Sequence, residues 1–132
     1  MQDFAWTALV TLVALLVYFI TSMGAGRARY IYKLPAPAIT GNEMFERHYR
    51  VQMNTLEWLP IFLPALWLFA WVWGDQLAAA IGAFWPLGRI IYMVTYVKDP
   101  AKRSLGFATQ GLAALALLIG ALVGVVQTLL AG

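Results

Sequence analysis

The stretch that decides the fold is residues 46–73, which read ERHYRVQMNTLEWLPIFLPALWLFAWVW. Its first twelve residues are rich in charge, whereas residues 58–73 contain no charged residue. An ionisable group in hydrocarbon costs at least ~2.5–3.5 kcal/mol on insertion scales, so it is usually kept there for function. Arg50, Asn54 and Glu57 are spaced i, i+4 and i+7, which places them on one helical face. The pattern predicts a membrane helix that begins with a polar ligand site.

The remainder of the chain is similarly apolar. Of its 132 residues, 62% are hydrophobic and 11% are charged, whereas a soluble domain averages roughly 25% charged residues. Four apolar blocks are each close to the ~20 residues that a spanning helix needs. The alternating pattern of β-barrel strands is absent. The sequence therefore predicts an all-α integral membrane protein, an antiparallel bundle of four transmembrane helices in one domain over residues 1–132. The helices are expected at about residues 4–24, 43–73, 77–97 and 105–130.

The basic residues predict the orientation. Eight of the nine lie in or beside the 1–2 and 3–4 connections, and Arg89, inside the third block, is the exception. The positive-inside rule then places both termini outside and the basic loops in the cytoplasm. The net charge of +3 thus reflects topology, and no nucleic-acid partner is expected. The start, Met1-Gln2-Asp3, lacks the positive region of a cleaved signal peptide. Short loops without a targeting signal suit a bacterial inner membrane, with the endoplasmic reticulum as the alternative.

Local signals predict where the helices begin and end. Gly24 and Gly26 are expected to close the first helix, and a proline-rich turn follows at residues 34–41. Asn42 is the candidate N-cap of the second helix, which prolines 60 and 64 are expected to kink. Glycines 120 and 124 form a small-xxx-small spacing that permits close helix contact.

The chain contains no cysteine and only one histidine. A cysteine nucleophile or thiolate metal site is therefore impossible, and no metal cofactor is expected. Any thiol chemistry would have to use a thiol that arrives with a substrate.

Two segments carry a more specific signal. Residues 45–60 contain FER-x-YR-x-Q-x-N-x-x-E-x-x-P, and residues 88–104 contain GR-x-x-Y-x-x-x-Y followed by DP-x-KRS. Both resemble motifs of the MAPEG family, the membrane-associated proteins in eicosanoid and glutathione metabolism, and within it the microsomal glutathione transferases. The resemblance covers nearly the whole chain. It implies a homotrimer with glutathione between neighbouring subunits near the cytoplasmic face, and a lipophilic partner entering from the bilayer.

The same resemblance assigns roles to individual positions. The matches to glutathione-binding residues are Arg50, Asn54, Glu57, Tyr92 and Tyr96, with Gln52 and Arg29 as contributing positions. Arg103 matches the arginine that leukotriene-forming members are thought to use on the thiol. Tyr30 stands where those members have a second arginine, and Trp58 where they have an aromatic hydroxyl. Both departures argue against leukotriene synthesis without arguing against glutathione binding.

These residue types suit the chemistry of glutathione. Arginine forks bind carboxylates bidentately, and Glu57 is the only carboxylate at membrane depth for the ammonium group. A free thiol titrates at about 8.5, and a nearby guanidinium such as that of Arg103 lowers this pKa. The expected function is a glutathione transferase, with or without glutathione-dependent peroxidase activity, acting on hydrophobic electrophiles or lipid hydroperoxides.

The same residues also have simpler, purely structural interpretations. Arg50, Asn54 and Glu57 could form an intramembrane network that only joins helices, and Tyr92 with Tyr96 could belong to an interfacial aromatic belt. Arg103 could be an ordinary basic loop residue. Arg89 could snorkel or pair with Glu57 rather than touch a ligand.

Two other functions also compete with the transferase. One is a non-catalytic protein of the same family that binds lipid or glutathione. The other is a small four-helix multidrug transporter, which is disfavoured because the first block holds no acid after Asp3.

Overall fold

Long helices account for almost all of the fold. The computed structural model describes residues 2–132, and its helices are α1 Ala5–Ile31, α2 Glu43–Trp73, α3 Asp75–Gly82, α4 Phe84–Lys98 and α5 Ser104–Ala131. Short 3₁₀ turns lie at Gln2–Phe4 and Pro100–Lys102. The helices supply four segments long and apolar enough to cross a membrane, α3 and α4 together forming the third. The predicted all-helical, four-span membrane fold is confirmed.

Helix α1 is longer than the sequence predicted. It continues through Gly24 and Gly26 to Ile31, so the expectation that these glycines end it was wrong. Gly24 faces α2, where an added Cβ would lie 3.3 Å from His48 Nδ1. This glycine therefore makes room for a neighbouring helix. The chain leaves the helix two residues after Ile31, at Lys33, whose φ is 54°.

The boundaries of α2 follow the expected signals. The Asn42 side chain accepts a hydrogen bond of 2.9 Å from the backbone N–H of Phe45, which satisfies one of the free donors at the helix start. The helix then runs without interruption through both prolines to Trp73. Gly74, with a φ of 103°, is the only residue between α2 and α3. Such a positive φ favours glycine.

The third span is interrupted, although the sequence predicted one helix over residues 77–97. Helix α3 ends at Gly82 and α4 begins at Phe84, with Ala83 between them. Pro86 explains the interruption, because its nitrogen cannot donate to the carbonyl of residue 82 and its ring crowds that carbonyl. The two pieces together are still long and apolar enough to cross a membrane.

The core is built from aromatic and small apolar side chains. Phe62 of α2 and Trp85 of α4 stack with ring centroids 4.4 Å apart and lie fully buried. At the end of the bundle where α1 begins, Asp75 accepts hydrogen bonds from the backbone N–H groups of Trp6 and Thr7, at 3.1 and 2.7 Å. This carboxylate links α1 to the third span by satisfying free donors of the α1 N-terminus.

The backbones of α4 and α5 approach each other closely where these helices cross. A Cβ built on Gly106 would lie 2.3 Å from the Tyr92 nitrogen and 2.8 Å from the Gly88 carbonyl oxygen. The predicted glycines of α5 also face α2, where Gly120 meets the Phe69 ring and Gly124 meets Val72. The crossing at Gly106 differs because its neighbours are backbone atoms, which cannot rotate away.

Substitution of Gly106 by alanine should therefore destabilise the protein. Overpacking typically costs about 1–3 kcal/mol, and we expect a clearly lower melting temperature of the detergent-solubilised protein. Gly111 is the matched control, because it lies in the same helix with no neighbour within 4 Å of an added Cβ. Gly111→Ala should leave the melting temperature unchanged or raise it slightly. Equal effects of both substitutions would contradict the proposed close crossing.

Candidate functional site

A cavity of about 490 Å³ lies where α2, α4 and the start of α5 meet, at the end of the bundle that carries the basic loops. It is lined by Arg50, Asn54, Tyr92, Tyr96, Arg103 and Phe107. The crossing at Gly88 and Gly106 brings the α4 tyrosines next to the first turn of α5. Five of the eight residues selected from the sequence thus line one cavity.

The cavity has a polar side on α2. Arg50 Nη2 donates to Glu57 Oε1 at 3.2 Å, and both side chains are about half exposed. Glu57 does not itself line the cavity. It lies two helical turns after Arg50 in α2 and accepts a hydrogen bond from the Arg50 guanidinium. Because the pair is accessible, its members can exchange partners with a charged ligand at small cost.

The opposite wall is aromatic. Tyr92 and Tyr96 stack with centroids 5.3 Å apart, and Phe107 lies 6.2 Å from Tyr92. Trp58 meets the edge of Phe107 at 5.6 Å. Tyr92 is buried between the helices and Tyr96 is half-buried, so these rings form part of a packed wall with access to the cavity.

Arg103 occupies the N-cap position of α5. Its side chain is exposed, and it makes no hydrogen bond or ion pair with any residue from 2 to 132. A helix N-terminus carries partial positive charge, to which the guanidinium adds a full one. This corner of the cavity therefore favours an anion.

Two of the predicted residues lie elsewhere. Arg29 hydrogen-bonds to the carbonyl of Ala38 and lies over the Phe45 ring, 4.4 Å from its centroid. Gln52 donates to Ser22 Oγ at 3.2 Å, on the side of α2 that faces α1. Gln52 follows Arg50 by two positions in the helix, so their side chains point to nearly opposite faces. Within one chain these two residues do not contribute to the cavity.

The environment of Arg89 differs from both interpretations that the sequence suggested. Arg89 neither snorkels nor pairs with Glu57, but is fully buried and donates to Asn54 Oδ1 and Thr55 Oγ1, each at 2.8 Å. Its guanidinium carbon also lies 4.4 Å from the Tyr92 ring centroid. The signal was present, because Arg89 and Tyr92 are three residues apart on one helical face. The partners on α2 could not be read from the sequence.

Several known proteins are similar in sequence to this chain. The uncharacterized protein sll1147 of Synechocystis sp. is 46% identical over 127 residues, which cover 96% of this chain and 93% of that protein. Human microsomal glutathione S-transferase 2 is 38% identical over 102 residues, which cover 76% of this chain and 69% of the relative. Leukotriene C4 synthase of Cavia porcellus is 32% identical, with 77% and 68% covered.

A family model also matches most of the chain. The model of the MAPEG family matches residues 7–123, which include the second and third spans, most of the first and fourth, and every residue of the cavity. The resemblance drawn from the two motifs is therefore confirmed. This chain belongs to the MAPEG family.

Proposed function

We propose that this protein is a membrane-bound glutathione transferase that binds glutathione in the cavity between α2, α4 and α5. The observation that carries the proposal is the cavity itself, in which Arg50, Asn54 and Arg103 face an aromatic wall. Family membership and relatives named as glutathione S-transferases support it independently. No residue of the chain need form a covalent intermediate.

Each part of glutathione has a matching group. The Arg50 guanidinium suits a carboxylate, since planar forks bind carboxylates bidentately, and Glu57 beside it suits the ammonium group. Asn54 can hydrogen-bond the peptide backbone, while Tyr92 and Tyr96 provide a flat surface with hydroxyl groups. Arg50 and Glu57 neutralise each other, and a zwitterionic end of the ligand can replace that pairing.

The chemical step requires the thiol as an anion. Arg103 and the α5 N-terminus together stabilise the thiolate more than the neutral thiol, and so lower the thiol pKa. The proton leaves to solvent. The thiolate then attacks an electrophilic carbon of a lipophilic substrate, so that a carbon–sulfur bond forms as the leaving group departs with its electron pair. With a lipid hydroperoxide the thiolate would instead attack the terminal oxygen, so that the O–O bond breaks and the lipid alkoxide leaves and takes up a proton. A second glutathione would then attack the sulfur of the resulting sulfenic acid, giving the disulfide and water.

We further propose that the site lies between subunits of a homotrimer in a bacterial inner membrane, with its opening at the cytoplasmic face. The basic loops at this end of the bundle support the orientation. Arg29 and Gln52 support the shared site, because they lie on the α1 side of α2, away from their own chain's cavity. They would reach the ligand bound by a neighbour. Tyr30 and Trp58 replace residues of leukotriene-forming relatives, so the proposed activity does not include leukotriene synthesis.

Substitution of Arg103 by alanine should slow conjugation while most glutathione affinity remains. We expect the pKa of the bound thiol to rise by about two units, equivalent to ~2.7 kcal/mol, which thiolate difference absorbance across pH measures directly. Lys102→Ala removes a neighbouring exposed charge outside the cavity and should change neither quantity. An unaltered thiol pKa in Arg103→Ala would exclude Arg103 from this role.

Replacement of Glu57 by glutamine should weaken glutathione binding about tenfold, as measured by calorimetry. The charge-assisted contact to the ammonium group is lost, and hydrogen bonds to charged groups contribute about 1.5–3 kcal/mol. Glu43→Gln is the control, because it breaks the Arg47 ion pair outside the cavity. Undiminished affinity of Glu57→Gln would show that this carboxylate only orients Arg50.

A shared site predicts complementation between inactive chains. Arg50→Ala and Arg29→Ala should each be inactive alone, yet co-expression should restore activity, because mixed trimers contain sites with both arginines intact. Co-expression of Arg50→Ala with Arg103→Ala is the control. Arg50 and Arg103 line the cavity of the same chain, so every site in such a mixed trimer lacks one of the two arginines. Absence of complementation in the first pair would place the whole site within one chain.

The non-catalytic alternative is tested by the same preparations. A family member that only binds ligand should take up glutathione saturably without conjugating a model aryl halide. None of the relatives described above is named as a transporter, and the transporter hypothesis receives no support from them.

A further inference from the structure

Arg89 carries a charge that no carboxylate balances. It is fully buried within the third membrane span, and no acidic side chain among residues 2–132 lies within ion-pair distance of it. Its Nε atom is also buried without a hydrogen-bond partner in the described chain. A buried charge left unpaired is expensive and is rarely retained without a use. The contacts of the remaining guanidinium nitrogens indicate what that use is.

Those nitrogens fix the orientation of one amide. Nη1 donates to Asn54 Oδ1 and Nη2 to Thr55 Oγ1, while the Thr55 hydroxyl donates onward to the Val51 carbonyl at 2.7 Å. A guanidinium has only donors, so it can face the oxygen of Asn54 and not the nitrogen. The donors of Arg89 therefore determine which way the Asn54 amide is oriented, although its oxygen and nitrogen have nearly the same shape.

The consequence appears on the cavity side. Asn54 lines the cavity, and its Nδ2 group has no hydrogen-bond partner among residues 2–132 while remaining accessible to solvent. With the carbonyl oxygen held by Arg89, the free part of the amide consists of two N–H donors. The same guanidinium packs on the Tyr92 ring, so one residue supports both the polar and the aromatic wall.

We propose that Arg89 is a positioning residue that makes Asn54 a donor-only contact, specific for a hydrogen-bond acceptor of glutathione. The acceptor is a carboxylate, a peptide carbonyl or the thiolate, and the ammonium group is excluded from this position. Arg89 itself does not touch the ligand. The inference rests on the proposed function and adds the polarity of one contact to it.

The decisive variant is Asn54→Asp. Its shape is nearly the same, and its carboxylate gives Arg89 the anionic partner that it lacks, so the melting temperature should be equal or higher. The cavity, however, loses both donors and gains an acceptor. We expect at least tenfold weaker glutathione binding by calorimetry, and a larger loss than in Asn54→Ala, which removes the donors without adding repulsion. Binding by Asn54→Asp as tight as wild type would overturn the inference.

A double-mutant cycle tests the part played by Arg89. Arg89→Met keeps an unbranched apolar stem but removes the guanidinium, and so releases the amide of Asn54. If Arg89 acts through Asn54, Asn54→Ala should cost affinity in the wild-type background and several-fold less in the Arg89→Met background. Equal losses in the two backgrounds would reduce Arg89 to a structural residue. If Arg89→Met does not fold, the inference is tested by the glutathione affinity of Asn54→Asp relative to the wild type alone.

The control for charge removal is Arg27→Met, because Arg27 is exposed on α1 and does not line the cavity. It should bind glutathione as the wild type does. Absence of saturable glutathione binding by wild-type protein would overturn the proposed function and this inference with it. Wild-type binding with an unaffected Asn54→Asp variant would overturn only the inference.

Discussion

The contact between α4 and α5 at Gly88 and Gly106 is the constraint on which the cavity depends. With no side chain at either position the backbones approach each other directly, as is common where helices associate within a membrane. The approach aligns the two tyrosines of α4 with Arg103 and Phe107 at the start of α5. A larger residue at Gly106 would push against the backbone of Tyr92 and so separate the two walls of the cavity.

The distribution of polar groups follows from the surrounding medium. Lipid cannot satisfy a charge or an amide, so each such group within the spans needs a partner in the protein. Arg50 has Glu57, and Arg89 has the oxygens of Asn54 and Thr55. The first pair is accessible and can be exchanged for a ligand, whereas the second is buried and fixed. The cavity thus combines an exchangeable contact with a rigid one.

The proposal that neighbouring chains share the site is based on the geometry of α2. Arg50 and Gln52 leave this helix in nearly opposite directions, one towards the cavity and the other towards Ser22 of α1. If both contact glutathione, as proposed, the ligand must lie between two copies of α2. A helix with a binding residue on each of two faces is well suited to a ring of identical subunits, in which every copy presents both faces.

Hydrophobic blocks of spanning length determined the four-helix membrane fold from the sequence alone, because the membrane thickness fixes helix length whatever the packing. The motifs likewise indicated the family and the face shared by Arg50 and Asn54. The sequence did not determine the end of α1, where Gly24 makes room for His48, or the partners of Arg89. Those depend on which side chains meet across helices far apart in the chain. Such contacts are decided by tertiary packing, since local periodicity fixes a residue's direction from its own helix but not what lies opposite it.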